Sequence, residues 1–116
     1  MAKSVLPDPL ARRHLIEREL APEQSLRTAE AYLAEGRTWD AIAFLAKAGA
    51  SDRLRALRDE AIAAGDAFLV RELARSLRED VSTEQWLAVA GAAEAAGKTR
   101  YAAQARRLAG LAEGRP

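Results

Sequence analysis

Apolar residues recur three and four positions apart along most of this chain, as in Ala11, Leu15, Ile16 and Leu20 or in Trp86, Val89, Ala90 and Ala93. That is the period of a helix with one face turned to a core. Residues with special backbone or capping properties divide the pattern into segments. Asp8-Pro9 opens the first helix with a side-chain acceptor at the N-cap and a proline at the first helical position, and the pattern carries it to about Leu20. Pro22 starts a second helix that runs to Glu35 and stops at Gly36. A third covers Trp39 to Lys47 and ends at Gly49. Ser51-Asp52 is expected to cap a fourth helix reaching Ala64, and Gly65-Asp66 to break the chain before a fifth that runs to about Arg78. Ser82 and Gln85 form a capping box for the sixth, which ends at Gly97, and the seventh runs from about Lys98 to Ala112. The expected class is all-α with about seven helices, because the β-branched residues are too scattered to build a sheet.

The connections are short, so consecutive helices fold back as antiparallel hairpins, expected at residues 22–48, 51–78 and 82–112. Residues 9–20 then form a capping helix, which makes one helical-repeat domain of residues 9–112 between flexible ends at 1–8 and 113–116. The hairpins repeat. Their central glycines, Gly36, Gly65 and Gly97, lie 29 and 32 residues apart, and Ala34-Glu35-Gly36-Arg37-Thr38 parallels Ala95-Ala96-Gly97-Lys98-Thr99. Periods of this length signal a helical solenoid, an α-α superhelix of stacked hairpins.

The residues around these glycines are similar to those of the tetratricopeptide repeat, which sets small residues where the two helices of a hairpin cross and large ones where hairpins meet. The third hairpin carries Trp86, Val89, Ala90, Ala93, Gly97, Ala102 and Ala109 at the family's spacings, with Ala93 in place of a tyrosine and Arg106 in place of a large aromatic residue. The first carries Ala29, Tyr32, Gly36, Ala41, Leu45 and Ala48, with Ser25 where the family has tryptophan. The second keeps Leu54, Leu57, Ala61 and Gly65 but has Arg58, Val70 and Leu77 at positions the family keeps small.

Composition narrows the picture. Of 116 residues, 49% are apolar but only 5% aromatic, so the core is mostly Ala and Leu and the helices pack closely. There is no cysteine, which removes disulfides, thiolate metal sites and cysteine nucleophiles and suits a reducing cytoplasm. The opening MAKSVLPDPLARR lacks the apolar run of a secretory signal, and no apolar stretch is long enough to span a bilayer. The net charge is +1, and the preference for Arg over Lys reads as the coding bias of a GC-rich bacterial genome.

Catalytic chemistry finds little to stand on. Gly97-Lys98-Thr99 imitates the end of a phosphate loop, but Ala92 stands where that loop needs glycine and a helix precedes it. His14, the only histidine, follows Arg12 and Arg13 and has no second base with which to form a triad. No cofactor or metal is expected, and the chain reads as a non-enzyme.

The resemblance implies a role in protein–protein interaction, as an adaptor or accessory subunit of a cytoplasmic assembly, with a concave groove lined by the first helix of each hairpin. Carried over residue by residue, that groove presents Glu23, Leu26, Glu30 and Leu33, then Asp52, Arg55, Asp59 and Ile62, then Glu84, Leu87, Gly91 and Glu94. An acidic and apolar trough of this kind suits a basic or amphipathic peptide or partner helix. The carboxylates also have a plain explanation, since Glu23, Asp52 and Glu84 fall in first helical turns and Glu30 and Asp59 have arginine neighbours. The Lys and Asn with which family members clamp chaperone tails are missing from this face. The alternative surface is basic: Arg71, Arg75 and Arg78 on the fifth helix, with Lys98, Arg100, Arg106 and Arg107 towards the seventh, a pattern that nucleic acid would also satisfy. A third reading is a structural homo-oligomer, with the N-terminal helix, Trp39 or Phe68 in the contact.

Overall fold

The computed structural model describes residues 8–17 and 21–114, without the side chains of residues 14–17. Among the described residues there are seven helices and no strand: α1 (Pro9–Glu17), α2 (Pro22–Ala34), α3 (Thr38–Lys47), α4 (Ser51–Ala64), α5 (Ala67–Leu77), α6 (Thr83–Ala95) and α7 (Thr99–Glu113). Side-chain caps account for the starts of α1, α5 and α6. Asp8 Oδ1 accepts the Ala11 N–H at 2.8 Å ahead of α1, and Asp66 Oδ1 accepts the Leu69 N–H at 3.2 Å ahead of α5. The α6 capping box closes in both directions, Gln85 N–H to Ser82 Oγ at 3.1 Å and Ser82 N–H to Gln85 Oε1 at 3.0 Å. One start differs from expectation. Ser51 is itself the first residue of α4 rather than its cap, and the Ala50 carbonyl accepts the Leu54 N–H at 3.1 Å.

Five helix ends share one turn. After α2, the Gly36 N–H donates to the Leu33 carbonyl and the Arg37 N–H reaches back to Tyr32, both at 2.9 Å. The same pair of bonds closes α3 at Gly49 and Ala50, α4 at Gly65 and Asp66, α5 at Arg78 and Glu79, and α6 at Gly97 and Lys98. In each case the carbonyl that accepts from five residues ahead belongs to a buried residue: Tyr32, Leu45, Ala61, Ala74 or Ala93. The turn therefore satisfies an acceptor that water cannot reach. It requires a left-handed residue, which is glycine at four ends (φ +66 to +73°) and Arg78 at the fifth (φ +56°).

The chain gathers into two compact units that meet within α4, at Leu54 and Arg55. In the first, α2 and α3 form a hairpin around buried Ala29, Tyr32, Ala41, Ile42, Phe44 and Leu45, with the Tyr32 and Phe44 rings stacked at 5.8 Å. Arginine covers those rings. The Arg12 guanidinium lies 5.7 and 5.6 Å from their centroids and donates to the Asp40 carbonyl at 2.9 Å, and Arg37 lies 5.0 Å from Tyr32. Of the apolar edge expected to dock α1, Ala11 alone has a described side chain. Ala11 is exposed, while Leu15, Ile16 and Leu20 lie outside the described side chains.

In the second unit α6 and α7 form the longer hairpin, burying Trp86, Val89, Ala90 and Ala93 against Ala102, Ala105 and Ala109, and α5 packs on both through Ala67, Val70, Leu73 and Ala74. The turn at Gly65 presses on α6. A Cβ there would sit 2.4 Å from the Ala93 nitrogen and 2.6 Å from its Cα. Lys98 Nζ fastens the same turn, donating to the Ala64 carbonyl at 3.1 Å, and the Phe68 ring meets Tyr101 edge-on at 4.9 Å.

Candidate functional site

The stripe expected on α2 is one face of that helix. Glu23 and Glu30 are exposed, Leu26 is 40% exposed and Leu33 is half-buried, while Ser25, Ala29 and Tyr32 on the other side are buried. Glu30 is engaged, accepting from Arg53 Nε at 3.0 Å. On α4, Asp52, Arg55 and Asp59 are exposed and Ile62 is half-buried. Arg55 does not stand free to meet a ligand: its guanidinium donates to Glu79 Oε2 at 2.6 and 3.1 Å. Arg58 Nη1 donates to Glu79 Oε1 at 2.9 Å, so one carboxylate bridges two arginines. The Arg55 hydrogen bond first, and then that of Arg58, hold the Glu79 carboxyl below its ordinary value of 4.5. Asp59 makes no ion pair with a described side chain.

On α6 the stripe of Glu84, Leu87, Gly91 and Glu94 is exposed throughout, with Leu87 at 53%. Glu94 accepts from Arg106 Nη2 at 2.6 Å, and Glu84 has no partner among the described residues. This helix and α2 occupy one frame. Ser25 and Trp86 are buried, Leu26 and Leu87 exposed, Ala29 and Ala90 buried, Tyr32 and Ala93 buried, and each helix ends in the same glycine turn. At both, a glutamate precedes the exposed leucine by one helical turn: Glu23 before Leu26, Glu84 before Leu87.

The basic surface divides between α5 and α7. Arg71, Arg75 and Arg78 are exposed, and among the described residues only Arg75 has an ion-pair partner, Glu72 at 4.0 Å. The carboxylate of Glu79, which the sequence sets beside these arginines, belongs instead to Arg55 and Arg58. Arg100 and Arg107 on α7 are exposed and make no ion pair with a described side chain.

Sequence reasoning missed two exposed positions, Leu111 and Gly110. Leu111 is 59% exposed because it falls two residues after Ala109 and one before Ala112, where the buried spacing of Ala102, Ala105 and Ala109 would continue. Gly91 and Gly110 lie inside helices with open space where a Cβ would be. Trp39, in the first turn of α3, is 52% exposed, whereas Phe68 is partly covered by Tyr101. His14 lies outside the described side chains, and among the described residues no group of three or more His, Cys, Asp or Glu is placed to hold a metal ion. No described helix is long and apolar enough to cross a membrane. Comparison with protein-family models, curated proteins and solved structures finds no match.

Proposed function

We propose that the protein is an interaction module built from hairpins of the tetratricopeptide kind, and that the outer face of α2 and that of α6 each takes a basic or amphipathic peptide segment. One observation carries the reading: both helices expose a leucine at the same position of the same frame, one turn after a glutamate. A leucine left half in water gains about 1–2 kcal/mol when a partner covers it. A carboxylate beside it favours a cationic neighbour and adds mainly to selectivity and encounter rate. With α2 this gives Leu26 and Leu33 beside Glu23 and Glu30, and with α6 Leu87 beside Glu84 and Glu94. On α4, Ile62 and Asp59 supply the same chemistry, while Arg55 serves the Glu79 bridge.

A synthetic helical peptide with lysine and leucine on opposite faces, labelled for fluorescence anisotropy, tests this. Leu26→Ser and Leu87→Ser should each weaken its binding about tenfold, equal to 1.4 kcal/mol, and leave the circular-dichroism melt unchanged because both side chains are exposed. Binding that is equally strong with both leucines replaced contradicts the reading.

A further inference from the structure

The hairpin of α6 and α7 is chemically two-sided. Trp86, Val89, Ala90 and Ala93 on α6 and Ala102, Ala105 and Ala109 on α7 are buried, and each helix keeps a separate exposed stripe. The α6 stripe is Glu84, Leu87, Gly91 and Glu94, and α6 contains no cation. The α7 stripe is Arg100, Ala103, Arg107 and Gly110 with Leu111 beside it, and the only carboxylate of α7 is its last residue, Glu113. The two stripes have identical spacing and each covers about 15 Å of helix at 1.5 Å per residue.

Three properties of these faces are left unused by the chain itself. Glu84, Arg100 and Arg107 have no ion-pair partner among the described residues. Leu87 and Leu111 are 53% and 59% exposed. Gly91 and Gly110 sit inside helices, where glycine is unfavourable relative to alanine, yet a Cβ at either would meet nothing within 4 Å. Gly65 shows what a glycine required by packing looks like in this molecule, with backbone atoms closer than 3 Å to its missing Cβ. A second helix laid on each face at short range would use the notches, the leucines and the charges together.

We propose that the occupant is a second copy of this chain, the α6 face of one copy docking on the α7 face of the next. The inference rests on the proposed function in taking α6 as a binding face, and it names one partner for it. Charge complementarity argues for this partner: the face that offers carboxylates and the face that offers arginines are carried by the same molecule, whose net charge of +1 sets up little repulsion between copies. The leucine and glycine on the α7 face would be wasted on a phosphate backbone, and Tyr101, the aromatic residue of α7, is half-buried against Phe68 rather than free to stack on bases. Because the contact joins two different faces, each added copy leaves a free face at both ends, and the association continues beyond a dimer or closes as a ring.

Sedimentation equilibrium tests this on the full chain, at about 0.03 M and about 0.5 M salt, which bracket strong and weak electrostatic range. The mass average should rise with concentration at low salt, and association should weaken at least tenfold at high salt. Glu84→Lys with Glu94→Lys makes both faces basic, and Arg100→Glu with Arg107→Glu makes both acidic. Each double variant alone should remain monomeric with an unchanged circular-dichroism spectrum, and mixing the two should restore the mass. A wild-type chain that stays monomeric to about 1 mM, where even contacts of about 4 kcal/mol would show, overturns the inference. So does a mixture that fails to associate, or a single-stranded oligonucleotide that binds wild type and the lysine variant but not the glutamate variant while no self-association occurs. The lysine–leucine peptide separates the two readings: peptide binding lost on Leu26→Ser, with no self-association, overturns this inference alone. Association restored by mixing, with no peptide binding, upholds it and overturns the peptide reading.

Discussion

The hairpins α2–α3 and α6–α7 use the same frame and fill it oppositely. Where the first has Ser25, the second has Trp86; where the first has Tyr32 and Phe44, the second has Ala93 and Ala105. All six side chains are buried, so the frame fixes which positions face inward but not how large they are. The consequences differ. Bulk at the turn end of the first hairpin leaves two stacked rings that Arg12 and Arg37 cover. Alanine at the same end of the second lets the Gly65 turn settle on the backbone of α6, and Lys98 reaches across to hold it. Shared periodicity thus supports two kinds of packing, one closed by cations over rings and the other by backbone approach.

The sharpest way to break this comparison is at the three equivalent glycines. Gly65→Ala meets a positive φ and the α6 backbone at once and should cost at least about 3 kcal/mol, whereas Gly36→Ala and Gly97→Ala meet open space and should cost only about 1 kcal/mol for the conformation. Urea melts of the three variants decide it, and equal losses would mean that the close approach at Gly65 does not exist. A smaller effect is expected at Ser25, whose Oγ is buried without a hydrogen-bond partner at the position where Trp86 stands in the other hairpin. Ser25→Ala should stabilise the protein by about 1 kcal/mol by removing that desolvated hydroxyl, and a loss of stability in the same melts would show that the hydroxyl is satisfied.

Arg78 offers a similar gain. It is the one left-handed helix end not served by glycine, and Arg78→Gly should raise the unfolding free energy by about 1 kcal/mol. Nothing in the packing of the chain explains the arginine. The smallest effect belongs to Glu79. Its carboxyl is held below 4.5 in the folded chain by Arg55 and Arg58, so its share of stability is present above 4.5 and is lost as pH falls through the lowered value. Glu79→Gln should therefore lower the melting temperature at pH 7, by a margin that shrinks as pH falls below 4.5; a drop that does not change with pH would assign the loss to packing.

The helices were legible in the sequence because their signals are local. Asp8, Asp66, Ser82 and Gln85 make the caps that their positions advertise, and the glycines stop the helices they follow. Ser51 misled because a serine after a glycine turn fits a cap equally well as a first helical residue. Arg78 gave no warning, since propensity disfavours a left-handed arginine and only the turn geometry reveals it. The outer stripes on α2 and α6 follow from the family resemblance, and their residues are exposed apart from Leu33, which is half-buried. The partners of the charges could not. Arg55 and Arg58 meet Glu79 across a turn, and Arg12 meets Asp40 across two helices, and neither pairing leaves a mark at the spacing of a single helix.

Residue-resolved NMR titration of the isotopically labelled chain with the lysine–leucine peptide is the closest test of the proposal that this protein meets a partner on the outer faces of α2 and α6. The amide shifts should move at Glu23, Leu26 and Glu30 and at Glu84, Leu87 and Gly91, with Arg71, Arg75 and Phe68 on α5 unmoved. Shifts confined to α5 and α7, or none at saturating peptide, would contradict it.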